Sequence, residues 1–230
     1  MEKLQLREKE IFEALKKISK FKFVIIGGYA VNPYTIPRFS VDCDIALSDY
    51  NELKKIGKEL ENNNYKKKST DKIDLPYHGD FIRYEKNIKD DINASFDILI
   101  KSVYDRETKV SFDTEWIFDN SNLTLLRGKT IDEKLKVRII NIDALIVMKF
   151  ISCRESDIRD LFMLTAKCKN PRWIKDEISK RHNFNGRSTK IKDKINSTEF
   201  RDNLQGVYGK TDDKTFEKYK KALLNMIKLQ

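Results

Sequence analysis

Residues 41–47, Val-Asp-Cys-Asp-Ile-Ala-Leu, place two aspartates two positions apart inside an otherwise apolar run. Such a run reads as a β-strand, and a strand's period of two puts Asp42 and Asp44 on the same face. Two carboxylates on one face of an apolar strand are costly unless a cation neutralises them. Upstream, Phe21 to Ile26 form a second apolar, β-branched and aromatic run, which ends at Gly27-Gly28, fourteen residues before Asp42. A glycine pair between a strand and a short helix lets backbone N–H groups approach a phosphate closely. The alternative is a plain tight strand-to-helix turn with no ligand. Asp97 is a third acid in an apolar run, Ser95 to Lys101. It reads either as a strand-end or paired core aspartate, or as a carboxylate that shares a metal or takes a proton from a hydroxyl.

The remaining pattern bounds the architecture. Residues 3–20 carry Leu4, Ile11, Phe12, Leu15 and Ile18 near helical spacing, and 48–62 carry Leu53, Ile56 and Leu60 on one face. Strands are expected at 21–26, 41–47, 81–85, 95–101, 123–127 and 136–140. The lysine run after Asn62-Asn63-Asn64 reads as a turn and a solvated segment. Asn141 is placed to cap a helix over 142–152, with a second over 156–167. Gly186 and Gly206 are expected to break the helices beyond, and 216–229 to close the chain as an amphipathic helix. The fold class is therefore mixed α/β (α+β): a mixed sheet with flanking helices over 1–140, then a helical domain over 141–230.

Charge divides the chain the same way. Of 230 residues, 46 are Lys or Arg and 36 are Asp or Glu, a net charge of +10. Residues 1–135 hold equal numbers of each sign, so the whole excess lies in 136–230, most densely from Lys167 to Lys194. A basic half beside a neutral half suggests that one module meets a polyanion, nucleic acid in particular. An acidic protein partner would read the same way. The longest apolar stretch, 142–151, holds Asp143 and Lys149 and is far too short for a membrane span. The N-terminus lacks the apolar core of a secretory signal. Cys43, Cys153 and Cys168 form no CxxC pair, so reduced thiols in a cytoplasmic protein are expected. His78 and His182 stand far apart, which argues against a zinc site. Tyr77-His78 falls in an expected loop that could line a pocket, and Trp116 and Trp173 read as core anchors.

Residues 26–47, IGGYAVNPYTIPRFSVDCDIAL, resemble the glycine-pair plus Asp-x-Asp core of the nucleotidyltransferase (DNA polymerase β-like) superfamily. Within it they look most like the AbiEii-type nucleotidyltransferases of abortive-infection and toxin–antitoxin systems. The matching positions are Gly27, Gly28, Arg38, Ser40, Asp42 and Asp44, with Asp97 in the expected place of the third acid. A helical Lys followed by an Arg/Asp-rich segment is matched by Lys149, Arg154, Asp157 and Asp160. The resemblance spans roughly residues 20–165. Pro33, Pro37 and Met163 depart from the pattern.

The resemblance implies a nucleotidyltransferase fold and a Mg²⁺-dependent transferase moving an NMP from an NTP, such as ATP, to an acceptor hydroxyl with release of pyrophosphate. Asp42, Asp44 and Asp97 would be catalytic and would hold two Mg²⁺ ions. Gly27, Gly28, Arg38, Ser40 and Lys149 would bind the nucleotide. Arg38 could equally pair with Asp42 or Asp44, and Asp157 and Asp160 could form helix-packing pairs with Arg154 or Arg159. The basic half makes RNA, tRNA 3′ ends in particular, the expected acceptor. A cognate protein partner is the alternative, and a non-catalytic nucleic-acid-binding module or a metal-dependent nuclease are the others.

Overall fold

The computed structural model describes residues 1–68 and 80–228, with the backbone alone at Asp80. Tyr77 and His78 lie outside the described residues. The chain divides into two compact units: Met1–Pro33, Pro37–Tyr104 and Ser111–Ile140 form the first, and Tyr34–Ile36, Asp105–Val110 and Asn141–Gln230 the second.

The first unit begins with α1 (Glu2–Ile18), which buries Ile11, Phe12, Leu15 and Ile18 as one stripe and leaves Leu4 exposed. Strand β1 (Val24–Ile25) follows, then a single 3₁₀ turn (Tyr29–Val31) and β2 (Asp42–Leu47). The expected strand over 21–26 is thus reduced to two paired residues. Helix α2 (Tyr50–Asn62) starts where the Asp49 carboxylate accepts hydrogen bonds from the N–H groups of Asn51 (2.8 Å) and Glu52 (3.0 Å). β3 (Lys66–Lys68), β4 (Asp80–Lys89) and β5 (Ile92–Ile100) come next. A small hairpin, β6 (Ser102–Tyr104) with β7 (Ser111–Asp113), and α3 (Thr114–Asp119) precede β8 (Ser121–Arg127) and β9 (Lys134–Ile140).

One mixed sheet has the order β3-β4-β5-β2-β1-β9-β8. β2 runs parallel to β5 and antiparallel to β1; β1 is parallel to β9. The lysine run read as solvated forms edge strand β3. All three side chains stay exposed while the backbone pairs with β4, the arrangement by which lysines protect a sheet edge. The expected strands at 81–85 and 95–101 are longer than their apolar cores and meet in a hairpin whose tip is Asp90-Asp91. Tyr65, just after α2, packs its ring edge-on to Phe96 of β5 at 5.5 Å. Phe96 therefore faces the helical layer, and Asp97 points to the opposite face.

The second unit is helical. α4 (Ile142–Ser152) is capped by the Asn141 side chain, which accepts from Ala144 N–H at 2.9 Å, as the sequence predicts. α5 (Glu155–Leu164), α6 (Pro171–Ser179), α7 (Phe184–Ile195), α8 (Phe200–Tyr208) and α9 (Asp213–Lys228) follow. Phe150 stacks on Phe184 at 4.9 Å, and Phe162 packs against Phe200 and Phe216 at 5.2 and 5.0 Å. Gly186 and Gly206 do not break helices: they lie inside α7 and α8, both exposed, where a glycine costs only about 1 kcal/mol relative to alanine. Trp116 and Trp173 are half-buried rather than core anchors. The three cysteines are unpaired, with Cys43 and Cys153 buried. Among the described residues no helix is long and apolar enough to cross a membrane.

Candidate active site

The first unit brings together the glycine pair, Ser40 and all three sequence-selected acids. β2 alternates: Cys43 and Ile45 are buried, while Asp42 and Asp44 are partly open to solvent. The parallel pairing with β5 sets Asp44 directly beside Asp97 and Asp42 beside Ser95. Asp97 is 7% exposed. The three carboxylates thus share one face of two adjacent strands.

The glycines sit against this acidic face. Ile26 N–H donates to the Asp44 carbonyl at 3.0 Å, extending the β1–β2 pairing to the edge of the turn. Gly27 has φ +64°, a left-handed conformation that L side chains rarely adopt. A Cβ built there would fall 2.7 Å from Asp44 Cγ and closer still to Oδ2. Gly28 has an ordinary φ of −68°, yet its Cβ would lie 3.1 Å from Ser40 Cβ and overlap Ser40 Oγ. Each glycine is therefore matched to one side chain of the 40–44 segment. The guanidinium of Arg38 lies near the same place, 3.5 Å from the Gly28 Cβ position, and donates to Phe39 O at 3.0 Å.

Two further residues that the sequence reading passed over organise the site. Asn32 is fully buried; its amide donates to the carbonyls of Arg38 (3.1 Å) and Arg127 (3.2 Å), and its carbonyl accepts from Arg38 N–H (3.1 Å). It fixes the backbone from which Arg38 and Ser40 reach the glycines. Arg83 on β4 is the Cα partner of Asp97. Its Nε and Nη2 donate to the two Asp97 oxygens, both at 2.6 Å, and Nη2 is 3.7 Å from Asp42 Oδ2. The only local signal for either was a polar residue inside an apolar or strand-like run.

Burial, then the charge of Asp97, pushes the Asp42 carboxyl above the usual carboxylate range, and Arg83 and Arg38 only partly oppose this. Among the described residues no three His, Cys, Asp or Glu side chains are drawn close enough together to cage a metal ion as they stand. The donor set is nevertheless all carboxylate oxygen, the chemistry that suits Mg²⁺. Arg83 supplies part of the neutralising charge that this set requires.

Lys149 lies in the second unit, not among these residues. Its side chain is 7% exposed, and its ammonium contacts Asp157 at 2.9 Å and Asp160 at 2.7 Å. Asp157 also accepts from Ser152 Oγ and from the Arg154 backbone N–H, and Tyr208 donates to Asp160. The Arg154 guanidinium pairs with Asp105 instead, at 3.0 Å.

No family model matches the chain, and no curated protein does. Solved structures do. MenT4, a nucleotidyltransferase toxin from Mycobacterium tuberculosis H37Rv, superposes with a TM-score of 0.56 over 99% of this chain and 84% of its own, at 13% identity. A candidate nucleotidyltransferase from H. pylori superposes with a TM-score of 0.50 over 99% of this chain and 94% of its own, at 17% identity. The chain has the nucleotidyltransferase fold. At these identities the likeness is one of fold, and it bears out the nucleotidyltransferase fold and the mixed α/β class expected from the sequence. Within the nucleotidyltransferase fold of this chain, Asp42, Asp44 and Asp97 lie on two adjacent parallel strands, with the glycine turn against the first of them.

Proposed function

We propose that the protein is a Mg²⁺-dependent nucleotidyltransferase that moves an NMP from an NTP to an acceptor hydroxyl and releases pyrophosphate. The observation that carries this reading is the register of Asp44 beside Asp97, with the Gly27-Gly28 turn closed against Asp44 and Ser40. An anion-binding turn beside three carboxylates is what phosphoryl transfer requires, since positioning and charge neutralisation supply most of that catalysis.

In this reading the N–H groups of Gly27 and Gly28, with Ser40 Oγ and Arg38, bind the triphosphate. Asp42, Asp44 and Asp97 hold Mg²⁺, which when bound neutralises charge developing on the phosphate oxygens. Asp97 accepts the proton of the attacking hydroxyl. The hydroxyl oxygen forms a bond to the α-phosphorus, the bridging α–β P–O bond breaks, and that electron pair leaves on pyrophosphate. Lys149 has its charge balanced by two buried aspartates, which supports a role in holding the helical unit rather than the direct triphosphate contact that the resemblance implies.

RNA, with a tRNA 3′ end as the preferred case, is the acceptor favoured by the charge distribution. Lys167, Lys169, Arg172, Lys180, Lys190 and Lys192 of the second unit are exposed. A second reading, nucleotidylation of a protein partner of a toxin–antitoxin pair, is favoured by Leu123 and Leu125. These are 59% and 46% exposed, on one face of edge strand β8, an apolar feature that RNA does not need.

The test is label transfer. Protein is incubated with Mg²⁺, each α-labelled NTP in turn, and total RNA or cell extract, with Asp42→Ala plus Asp44→Ala as control. Label on RNA that the control lacks supports the first reading, and label on protein the second. No transfer, together with no NTP binding, overturns both and leaves a binding module. RNA cleavage without NTP points to a nuclease.

A further inference from the structure

Arg83 occupies the carboxylates to which the proposed function assigns the metal. Both oxygens of Asp97 are engaged by one guanidinium in a fork at 2.6 Å, and the same group reaches toward Asp42 at 3.7 Å. A Mg²⁺ ion needs its carboxylate oxygens at roughly 2.0–2.1 Å in near-octahedral geometry. The fork takes the inner lone pair of each Asp97 oxygen, the positions a chelating cation would use, and a second cation on the same carboxylate is repelled. Arg83 also cannot leave by losing its proton, because a guanidinium stays charged at any working pH. It can leave only by moving. The structure allows this: the Arg83 side chain is 39% exposed, whereas that of Asp97 is 10% exposed.

We propose that Arg83 is the resident cation of the acidic face and a gate on metal binding: its fork opposes a divalent cation at Asp97 and has to release that carboxylate before both of its oxygens can serve a metal. The proposal rests on the reading of Asp42, Asp44 and Asp97 as metal ligands. Arg83 is then a positioning residue with two states. In one it holds Asp97 and partly compensates the charge of the acidic face. In the other it is freed beside the incoming triphosphate, a better partner for the same fork, since guanidinium binds phosphate and carboxylate alike in bidentate fashion. The nucleotide thereby draws Arg83 off Asp97, and metal and nucleotide bind cooperatively. Apparent metal affinity without nucleotide is lowered by the fraction of protein in the closed state.

The experiment is an electron-paramagnetic-resonance titration with Mn²⁺ of the full chain, wild type against Arg83→Gln, with and without an α,β-methylene NTP analogue. Thermal melts with Mg²⁺ run in parallel. Arg83→Gln is expected to bind Mn²⁺ about ten- to a hundredfold more tightly than wild type without nucleotide, the scale of one charge-assisted hydrogen bond released. The analogue is expected to tighten Mn²⁺ binding in wild type and to lose most of that effect in Arg83→Gln. Arg83→Lys keeps the charge that balances the acids but cannot fork both oxygens. It covers the case in which the glutamine variant fails to fold, and is expected to bind Mn²⁺ more tightly than wild type. Equal or weaker Mn²⁺ binding by the Arg83 variants, with binding lost in Asp42→Asn plus Asp44→Asn, overturns the gate and leaves the metal site intact. No Mn²⁺ binding by wild type or any Arg83 variant, or binding unaffected by the double asparagine change, overturns the metal site and the gate with it.

Discussion

The Asp44 carboxylate fills the space in which a side chain at Gly27 would begin: a Cβ there would lie 2.7 Å from Asp44 Cγ. The turn and the acid are complementary in shape. Gly27→Ala therefore meets two penalties, the overlap with Asp44 and a left-handed φ of +64° that costs an L residue about 1–2 kcal/mol. Adding Asp44→Ala should relieve the first and not the second. Urea denaturation of the two single variants and the double variant should show non-additive losses, the double less destabilised than the sum. Additive losses would mean that the glycine and the acid do not meet in solution.

Gly28 supplies the contrast. Its φ is one that any residue adopts, so Gly28→Ala suffers only from contact with Ser40. It should be less destabilising than Gly27→Ala by about 1–2 kcal/mol, the left-handed penalty alone. Gly28→Ala with Ser40→Gly should recover the stability that Gly28→Ala loses. NTP binding, followed by calorimetry, should stay weakened in the double variant because the Ser40 hydroxyl is gone. Full recovery of binding would remove Ser40 from the phosphate site.

Much of this site was legible because its parts are local. A period of two is enough to put Asp42 and Asp44 on one face, and two adjacent glycines between apolar runs announce a turn. What was not legible is pairing across strands. That Asp44 neighbours Asp97 depends on the β2–β5 register, and that Arg83 grips Asp97 depends on the β4–β5 register. Neither register is written in a single segment. Asn32 escaped notice for the same reason: its partners, Arg38 and Arg127, are 6 and 95 residues away. The lysines of 66–68 were read as part of a turn and a solvated segment; their side chains are solvated, but composition does not report the pairing with β4 that makes the run a strand. Gly186 and Gly206 misled in the opposite sense, since the buried contacts of Phe184, Ile191, Phe200 and Leu204 hold their helices despite them.

Lys149 offers a test between a structural and a nucleotide-binding role. Burial raises the Asp157 carboxyl, but the Lys149 charge and the hydrogen bonds from Ser152 and Lys149 outweigh it and hold the group below its usual range. A depressed carboxylate contributes stability that is complete above its unfolded value and lost as pH falls through the folded one. Lys149→Met should cost about 3–5 kcal/mol, because it leaves Asp157 and Asp160 buried without their cation. The sign of the pH response should also reverse. The variant, unlike wild type, should gain stability as pH is lowered from 7 toward 5 and its stranded carboxylates protonate. Thermal melts across that range decide it. A variant as stable as wild type but unable to bind NTP would restore Lys149 to the triphosphate.

Asp42 provides the corresponding test in the first unit, with the opposite sign. Its carboxyl stands above the usual range, from burial first and the neighbouring Asp97 charge second. The folded protein therefore favours the protonated form. The associated stability is present below the ordinary carboxylate value and is lost as pH rises through the raised one. Without divalent metal, wild type should lose stability over that window, and Asp42→Asn, which cannot ionise, should not. At pH 7 the asparagine variant should melt at a higher temperature than wild type, although transfer activity falls by at least about a hundredfold with the loss of a group that neutralises transition-state charge through the metal. Added Mg²⁺ should raise the wild-type melting temperature at pH 7 and leave that of Asp42→Asn nearly unchanged. Scanning calorimetry from pH 4 to 8, with and without Mg²⁺, measures both effects. A lower melting temperature for Asp42→Asn at pH 7 would show that the ionised carboxylate is stabilised by its surroundings, with Arg83 outweighing burial, and that the acidic face carries no stored repulsion for a metal to relieve.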